Sequence, residues 1–300
     1  MKTSNWLKKG SFLAVMALFA LMVSCHQNAN DLNSNISSNV QSEATTDSYH
    51  GEVQDMSSMA MNSTSETLSG RSSESSREVT GLGNIDDRFK CAVVTHIKDP
   101  SSTPAKPIGT ITIDFGTGCK DNHGKTRSGM IIINYSGKRF MPGSLITTTF
   151  KDYYRNGVKI EGTHSFANIT PTLLDYPKFQ IIIAGGKLTF PDGRIATREQ
   201  NMTREWQRGA NPLQDKWVVD GKASGSNKNG KSFTMEITKS LIYSMACRFS
   251  NKVFIPVEGI KHLVCESKDI IIDYGDGTCD NKVTITVNGN KTETTIDDKD

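Results

Sequence analysis

The sequence predicts an all-β fold, an antiparallel meander of strands that follows a disordered N-terminal stalk. Three observations lead to this prediction. Beyond residue 85, β-branched and aromatic residues alternate with polar ones in short runs. Turn residues such as Asn156-Gly157 separate neighbouring runs. In this part of the chain we find no convincing stretch with the 3.6-residue period of an amphipathic helix.

Residues 1–24 are expected to be a signal peptide. Three lysines precede an apolar run from Phe12 to Val23, and Cys25 follows soon after. A basic segment, a short apolar core and small residues before a cleavage point are typical of secretory signals. The run is about 12 residues long, whereas a helix that spans a bilayer needs roughly 20.

The segment Leu21–Cys25 resembles the lipobox of bacterial lipoproteins, with Met22 where leucine is commoner. The resemblance implies that the chain is cut before Cys25 and that this cysteine is lipidated, so the membrane is a partner through a lipid anchor. An ordinary secretory signal with a chance cysteine is the alternative. His26-Gln27-Asn28 lacks the aspartate that marks inner-membrane retention in some bacteria. The resemblance therefore favours the outer membrane of the cell envelope, facing the periplasm or the cell surface.

Residues 25–84 are expected to form a lipidated cysteine plus a flexible tether. The segment after Cys25 contains 14 serines, eight acidic residues, two arginines and Tyr49 as its one aromatic residue. Its apolar surface is too small to offset the entropy that ordering would cost.

The charge balance argues against nucleic acid as a partner. The chain has 35 basic and 32 acidic residues, and cleavage of the signal would remove three lysines. A neutral mature chain lacks the concentrated basic surface on which nucleic-acid binding depends.

The β domain is predicted over residues 85–300, with strands separated by turn residues. Asn156-Gly157, Pro191-Asp192-Gly193 and Asn288-Gly289 each mark a hairpin turn between two alternating runs. The pattern leaves open whether the strands form a sandwich, a barrel or one long curved sheet.

An internal echo relates residues 91–138 to residues 247–291. Ile113–Cys119 reads IDFGTGC and Ile272–Cys279 reads IDYGDGTC, and a strand follows each segment. The aspartate is expected to accept hydrogen bonds from turn amides, while the glycines supply positive φ. The shared spacing indicates a duplication.

Two disulfides are predicted for the mature chain. Five thiols remain after Cys25 is lipidated, so at most two bridges can form, and an oxidising envelope favours their formation. The spacing of the cysteines indicates which residues pair. Cys91 precedes Cys119 by 28 residues and Cys247 precedes Cys279 by 32. We therefore expect these two pairs and a free, buried Cys265 thiol. A Cys265–Cys279 pairing is the alternative.

Four aromatic residues are candidates for stacking on a ligand, although packing in the core or at its rim is the stronger expectation for residues on strands. They are Trp206, Trp217, Tyr153 and Tyr154.

No motif in the chain indicates a cofactor, a metal or a nucleotide. The segment Gly225–Ser232 matches the P-loop pattern, but the residues after Lys231 alternate like a strand instead of opening a helix. The aspartates near Asp273 lack the spacing of an EF-hand and are expected to be turn residues. The nucleophile-elbow motif GxSxG and the zinc-protease motif HExxH are both absent.

The lipobox, the serine-rich segment and the two repeated turns together resemble β-rich envelope lipoproteins of Bacteroidota-type bacteria. The resemblance implies a location and a fold but no reaction. We expect a non-catalytic binding or structural role, with a glycan or an envelope protein as the partner. The alternatives are a carbohydrate-binding module at the cell surface and a carboxylate-dependent hydrolase, so the question of enzymatic activity stays open.

Overall fold

The computed structural model describes residues 42, 45–61, 76–251, 253 and 255–296. The chain divides into two units, Met1–Thr45 and Thr46–Asp300. Ser42 and Thr45 are the described residues of the first unit, and the architecture below is that of the second. The signal peptide and Cys25 lie outside the described residues.

The described strands form a single antiparallel sheet, which confirms the all-β fold. Each strand pairs with its neighbours in the chain, except that the short β4 pairs with β5 beside the main path. The sheet does not close, so a single open sheet is the correct choice among the three predicted arrangements. The strands are β1 (Ser76–Glu78), β2 (Val93–Lys98), β3 (Ile108–Asp114), β4 (Cys119–Lys120), β5 (Thr126–Ser136), β6 (Leu145–Arg155), β7 (Val158–Asn168), β8 (Lys178–Thr189), β9 (Ile195–Gln207), β10 (Lys216–Ser226), β11 (Ser232–Ser244), β12 (Glu258–Cys265), β13 (Lys268–Asp276), β14 (Lys282–Val287) and β15 (Asn290–Thr295).

Helical segments are few and short. They are α1 (45–61), α2 (Leu82–Ile85), α3 (Met245–Asn251) and the 3-10 turns Asp87–Phe89 and Pro212–Gln214.

The hairpin turns lie where the sequence places them. Asn156 and Gly157 have φ values of 49° and 77°, and they connect β6 to β7. Asn288 and Gly289 repeat this geometry between β14 and β15. Positive φ at both central residues is the backbone of a tight hairpin turn, and asparagine and glycine adopt it at low cost. The P-loop-like segment is also a hairpin connection, between β10 and β11.

The tether prediction is wrong for residues 45–61, which are helical. Val53, Met56 and Ala60 of α1 are spaced three and four residues apart and are almost completely buried. The face of the sheet that α1 covers is called the inner face below. The folded part also begins before residue 85, because β1 pairs with β2.

The sheet must curve around α1. Inner-face side chains are buried from Ile111 and Ile113 on β3 to Ile270 and Ile272 on β13. Fourteen strands spaced about 4.8 Å apart would span about 60 Å if flat, whereas a helix is only about 10 Å wide. One helix can bury so many side chains only if the sheet wraps around it.

The structure contains both predicted disulfides, Cys91–Cys119 and Cys247–Cys279, and leaves Cys265 as a buried free thiol. In the loop-entropy model each bridge stabilises the fold by about 3–4 kcal/mol. Burial raises the pKa of the Cys265 thiol, which keeps it protonated and unreactive.

The echo is a similarity of local turns. Asp114 Oδ1 accepts a hydrogen bond from the Gly116 amide at 2.7 Å, and Asp273 Oδ1 accepts one from the Gly275 amide at 2.9 Å. However, β3 and β13 run in opposite directions, because an odd number of antiparallel pairings separates them. Both strands bury the isoleucine before that aspartate on the inner face. A rotation that superposed one segment on the other would have to reverse the strand direction while keeping the left-to-right order of the strands. Such a rotation would also turn the inner face of the sheet outward. Because both segments bury the inner face, no single rotation relates them.

Candidate functional site

The two predicted tryptophans come together on the inner face. Trp206 on β9 lies directly opposite Trp217 on β10 in the strand register. The ring centroids are 5.7 Å apart and the rings are inclined by 19°, so the indoles stack. Trp206 Nε1 donates a hydrogen bond to Asp215 Oδ2 at 2.9 Å. Because Asp215 Oδ1 also accepts from the Gly209 amide, the loop between the two strands fixes the orientation of the indole.

The two predicted tyrosines lie elsewhere. Tyr153 is on β6, three strands away from β9 in the sheet order, and it is completely buried. It stacks on Phe150, and burial raises the pKa of its hydroxyl. Tyr154, the next residue, contacts the ammonium group of Lys159. Neither tyrosine lies with the tryptophans, and the burial of Tyr153 matches the stronger expectation that strand aromatics pack in the core.

Three arginines pack against aromatic rings around the tryptophan pair. The Arg204 guanidinium lies 4.3 Å from the Trp217 ring centroid, and that of Arg208 lies 4.8 Å from the Trp206 centroid. The Arg139 guanidinium lies 5.0 Å from the centroid of Phe140, whose ring is 5.8 Å from that of Trp206. We call this group the aromatic–arginine cluster. Its members are Arg139, Phe140, Arg204, Trp206, Arg208 and Trp217.

Strand geometry explains why these residues meet. Arg204 and Trp206 are two residues apart on β9, so their side chains point to the same face of the sheet. Phe179 on β8 lies opposite Arg204 in the register, and Trp217 lies opposite Trp206. The register of β9 and β10 therefore brings Arg204, Trp206 and Trp217 together, whereas Arg139, Phe140 and Arg208 come from the connections at the ends of the strands.

Arg139 and Arg204 are partly buried without a carboxylate partner. Neither forms an ion pair within the described residues, and the Nε of each is buried without a hydrogen-bond acceptor. Burial and the positive charge of Arg204 lower the pKa of Arg139 to about 10, against the opposing charge of Asp55. Burial likewise lowers the pKa of Arg204. Two cations held close together out of water favour an anion between them.

Other arginines of the inner face differ in forming ion pairs with acidic residues of α1, whereas Asp55 of α1 acts on Arg139 and Arg204 through its charge without an ion pair. Arg127 and Arg155 share Glu52, at 2.6 and 2.9 Å. Arg198 pairs with Asp47 at 2.8 Å. The absence of an ion pair at Arg139 and Arg204 is thus a local property of the cluster within the described chain.

The cluster has the chemistry of an anion-binding site with an apolar wall. Guanidinium groups bind phosphate and carboxylate through charge-assisted hydrogen bonds, and aromatic rings pack on the apolar remainder of a ligand. The six side chains of the cluster include no nucleophile and no general base. The arrangement supports binding and supplies no catalytic group.

The carboxylates in the open groove along β13 and β14 are turn residues, as the sequence predicts. Asp276 accepts hydrogen bonds from Thr278, which lower the pKa of its carboxyl. Asp280 accepts from the Lys282 amide. The described residues contain no group of three or more side chains placed to hold a metal ion.

Sequence reasoning found Trp206 and Trp217 but missed the arginines and Phe140. A signal for part of the cluster is visible in hindsight. Arg204, Trp206 and Arg208 alternate with Glu205 and Gln207, which would place all three on one face of a strand. Nothing local in the sequence connects them to Arg139, which is 65 positions away from Arg204.

No helix among the described residues is long and apolar enough to cross a membrane. Comparisons with protein-family models, with curated proteins and with solved structures find no significant match for this chain.

Proposed function

We propose that this protein is a lipid-anchored β domain of the cell envelope with a non-catalytic binding role, and that the aromatic–arginine cluster is its ligand site. The ligand carries an anionic group and an apolar portion. The observation that carries the proposal is the pair of partly buried arginines that form no ion pair, each with an Nε that lacks an acceptor, beside stacked tryptophans.

The location rests on the signal segment and on the cysteines. The segment before Cys25 resembles a lipobox, and two disulfides among the described residues fit an oxidising compartment. The resemblance to β-rich envelope lipoproteins of Bacteroidota-type bacteria supports the outer membrane. The anchor would keep the β domain beside a bilayer.

Cys25→Ser is expected to abolish acylation, because the thioether bond needs this thiol. Mass spectrometry of the N-terminal peptide from membrane fractions checks this, with globomycin treatment expected to accumulate the uncleaved precursor. Cys265→Ser is the matched control, since its thiol is buried and unbridged. An unmodified Cys25 in the mature wild-type chain would contradict the anchor.

An anionic ligand fits the cluster better than a neutral sugar does. A sugar ring needs a free aromatic face, whereas each indole already contacts the other indole and a guanidinium. The arginines, in contrast, lack acceptors that an oxyanion would supply. The carbohydrate-binding alternative retains one favourable observation, which is the tryptophan pair itself.

Octyl phosphate and octyl glucoside, both below their micelle-forming concentrations, separate the two possibilities. We expect octyl phosphate to change the tryptophan fluorescence with saturation and octyl glucoside to have no such effect. Replacing both Arg139 and Arg204 by glutamine is expected to weaken octyl phosphate binding by about tenfold or more, because charge-assisted hydrogen bonds contribute about 1.5–3 kcal/mol each. Because the two cations repel each other, removing both charges is not expected to unfold the protein.

The control is Arg194→Gln, which removes an exposed arginine that pairs with Asp192 at the opposite end of the sheet. Its affinity for octyl phosphate is expected to equal that of the wild type. Saturable binding of octyl glucoside that the double glutamine variant retains would favour the carbohydrate module instead. Absence of binding by either probe would contradict the proposed site.

A further inference from the structure

Exposed apolar side chains concentrate at one end of the sheet. Three hairpin connections, 137–144, 169–177 and 208–215, lie at this end together with α3, because β5, β7, β9 and β11 all run toward it. Eight of the thirteen exposed large hydrophobic residues lie in these four segments. We call these eight the apolar rim, which consists of Phe140, Met141, Ile169, Leu173, Leu174, Tyr176, Leu213 and Phe249.

The exposure is greatest at the tip of the connection between β7 and β8. Leu174 is 98% exposed and Leu173 is 67% exposed. Single exposed apolar residues are ordinary on a protein surface, but a concentration of eight at one end of a sheet marks an interaction surface.

The opposite end of the sheet has a different character. Its connections include the polar turns at 115–125, 156–157, 190–194 and 227–231, and none of the exposed large hydrophobic residues of the described chain lies in them. The apolar character is therefore specific to one end.

Cations border the apolar rim. Lys138, Arg208 and Lys216 are exposed beside it. The acidic residues within these four segments, Asp175 and Asp215, are occupied by hydrogen bonds within their own loops. Leucine and aromatic side chains surrounded by basic ones match the interface of an anionic bilayer, where apolar groups enter the acyl boundary and cations meet the headgroups.

We infer that the apolar rim docks on the surface of a bilayer that contains anionic lipids. The eight side chains come from three connections and α3, which suits shallow insertion into a fluid surface. Phe140 connects the rim to the aromatic–arginine cluster, because its ring is partly exposed and lies 5.8 Å from Trp206. This inference goes beyond the proposed ligand site and does not require it, since Leu173 and Leu174 are outside the cluster.

Tryptophan quenching tests the docking directly. The chain has three tryptophans, so full-length protein with Trp6→Phe reports only on Trp206 and Trp217. Vesicles of phosphatidylcholine and phosphatidylglycerol with brominated acyl chains are expected to quench this fluorescence. Leu173→Ser combined with Leu174→Ser is expected to weaken docking of the rim, read as loss of quenching, by about tenfold or more, because two large apolar side chains then no longer leave water.

The matched control is Val93→Ser combined with Ile195→Ser, two exposed apolar residues at the opposite end of the sheet. This variant is expected to be quenched as strongly as the parent chain. High salt, or vesicles of phosphatidylcholine alone, should reduce the quenching.

Three results would overturn the inference. They are the absence of quenching by anionic vesicles, an equal loss in the rim and control variants, and equal quenching by phosphatidylcholine alone. If anionic vesicles do not quench the fluorescence, the rim stays in water even when the N-terminal segment holds the protein on the membrane. Failure of octyl phosphate binding would not affect the outcome, because that probe tests the arginines of the cluster.

Discussion

Glu52→Gln is expected to lower the free energy of unfolding by about 3–5 kcal/mol, because it leaves two buried guanidiniums without their shared carboxylate. Glu52 Oε1 lies 2.6 Å from an Arg127 terminal nitrogen, and Oε2 lies 2.9 Å from Arg155 Nε. The arginine side chains are only 2% and 5% exposed. Arg127 keeps a second partner in Asp121, so Arg155 carries most of the loss.

Urea unfolding followed by circular dichroism measures this change. Glu161→Gln is the control, because Glu161 pairs with Lys187 across the partly exposed surface of β7 and β8. Surface pairs contribute about 0–1 kcal/mol, so the control is expected to stay close to the wild type.

The same substitution has a local consequence that hydrogen exchange can detect. If α1 separates from the sheet before the sheet unfolds, the amides of residues 46–61 lose protection while those of β5 to β9 keep theirs. An effect of Glu52→Gln no larger than that of Glu161→Gln, with protection of α1 unchanged, would contradict the packing of α1 on the inner face.

The stability of α1 comes from the sheet, and this is why the sequence did not reveal it. Residues 45–61 include three residues from the serine and threonine class before Val53, and Gly51 lies in the helix interior. These residues have low helix propensity, and an isolated helix of this length is marginal in water. The partners of its acidic residues are far along the chain, as with Glu52 and Arg127, which are 75 positions apart.

Strands and hairpin turns could be predicted because their signals are local. Alternation of side chains and an Asn-Gly pair act within a few residues, so Asn156 and Gly157 identify a turn without knowledge of the rest of the chain. The disulfides could be predicted because the cysteines are few and two pairs share a similar spacing. Neither kind of signal indicates whether the antiparallel sheet closes into a barrel. Closure depends on the twist and the bulges of all the strands together.

The candidate site was only half predictable for a related reason. Trp206 and Trp217 stand out in the sequence because tryptophan is rare, but their direct pairing depends on the register of β9 and β10. Tyr153 and Tyr154 stand out equally, yet strand alternation sends their side chains to opposite faces. Arginine is too common in this chain for Arg139 and Arg204 to be recognised without the distances between them.

Acid is expected to destabilise the fold between pH 7 and pH 5 through a buried histidine pair. His50 Nδ1 on α1 lies 3.0 Å from His164 Nε2 on β7, and both residues are almost completely buried. Burial lowers the pKa of His50 to about 3, with further lowering from the charges of His164 and Arg198 and opposition from Asp47. Burial alone lowers the pKa of His164 to about 4.

The direction of the pH dependence of the unfolding free energy follows from which state binds protons first. Both folded pKa values lie below the ordinary value of 6.5, so the unfolded chain takes up protons first as the pH falls. Stability is therefore fully present above about pH 6.5 and declines as the pH falls toward the folded pKa values. At pH 5 each unfolded histidine gains about 2 kcal/mol from protonation, which amounts to a loss of about 4 kcal/mol for the pair.

The carboxylates act in a lower pH window and do not obscure this effect. Hydrogen bonds and the charge of Arg127 lower the pKa of Asp121 below its ordinary 3.8, although burial opposes them. Its contribution is present above that ordinary value and is lost only as the pH falls through the lowered one. Between pH 7 and pH 5 the contribution of Asp121 is thus nearly constant, and the decline belongs to histidine.

Replacing both His50 and His164 by glutamine is expected to flatten the dependence of unfolding free energy on pH between 7 and 5, whatever its effect on stability at pH 7. The slope is the informative quantity, because a merely structural loss shifts the whole curve without changing its shape. His262→Gln is the control, since His262 lies at the surface beside Asp269, and the decline should persist in that variant. A double variant that declines as steeply as the wild type would show that the two imidazoles are not held neutral beneath α1.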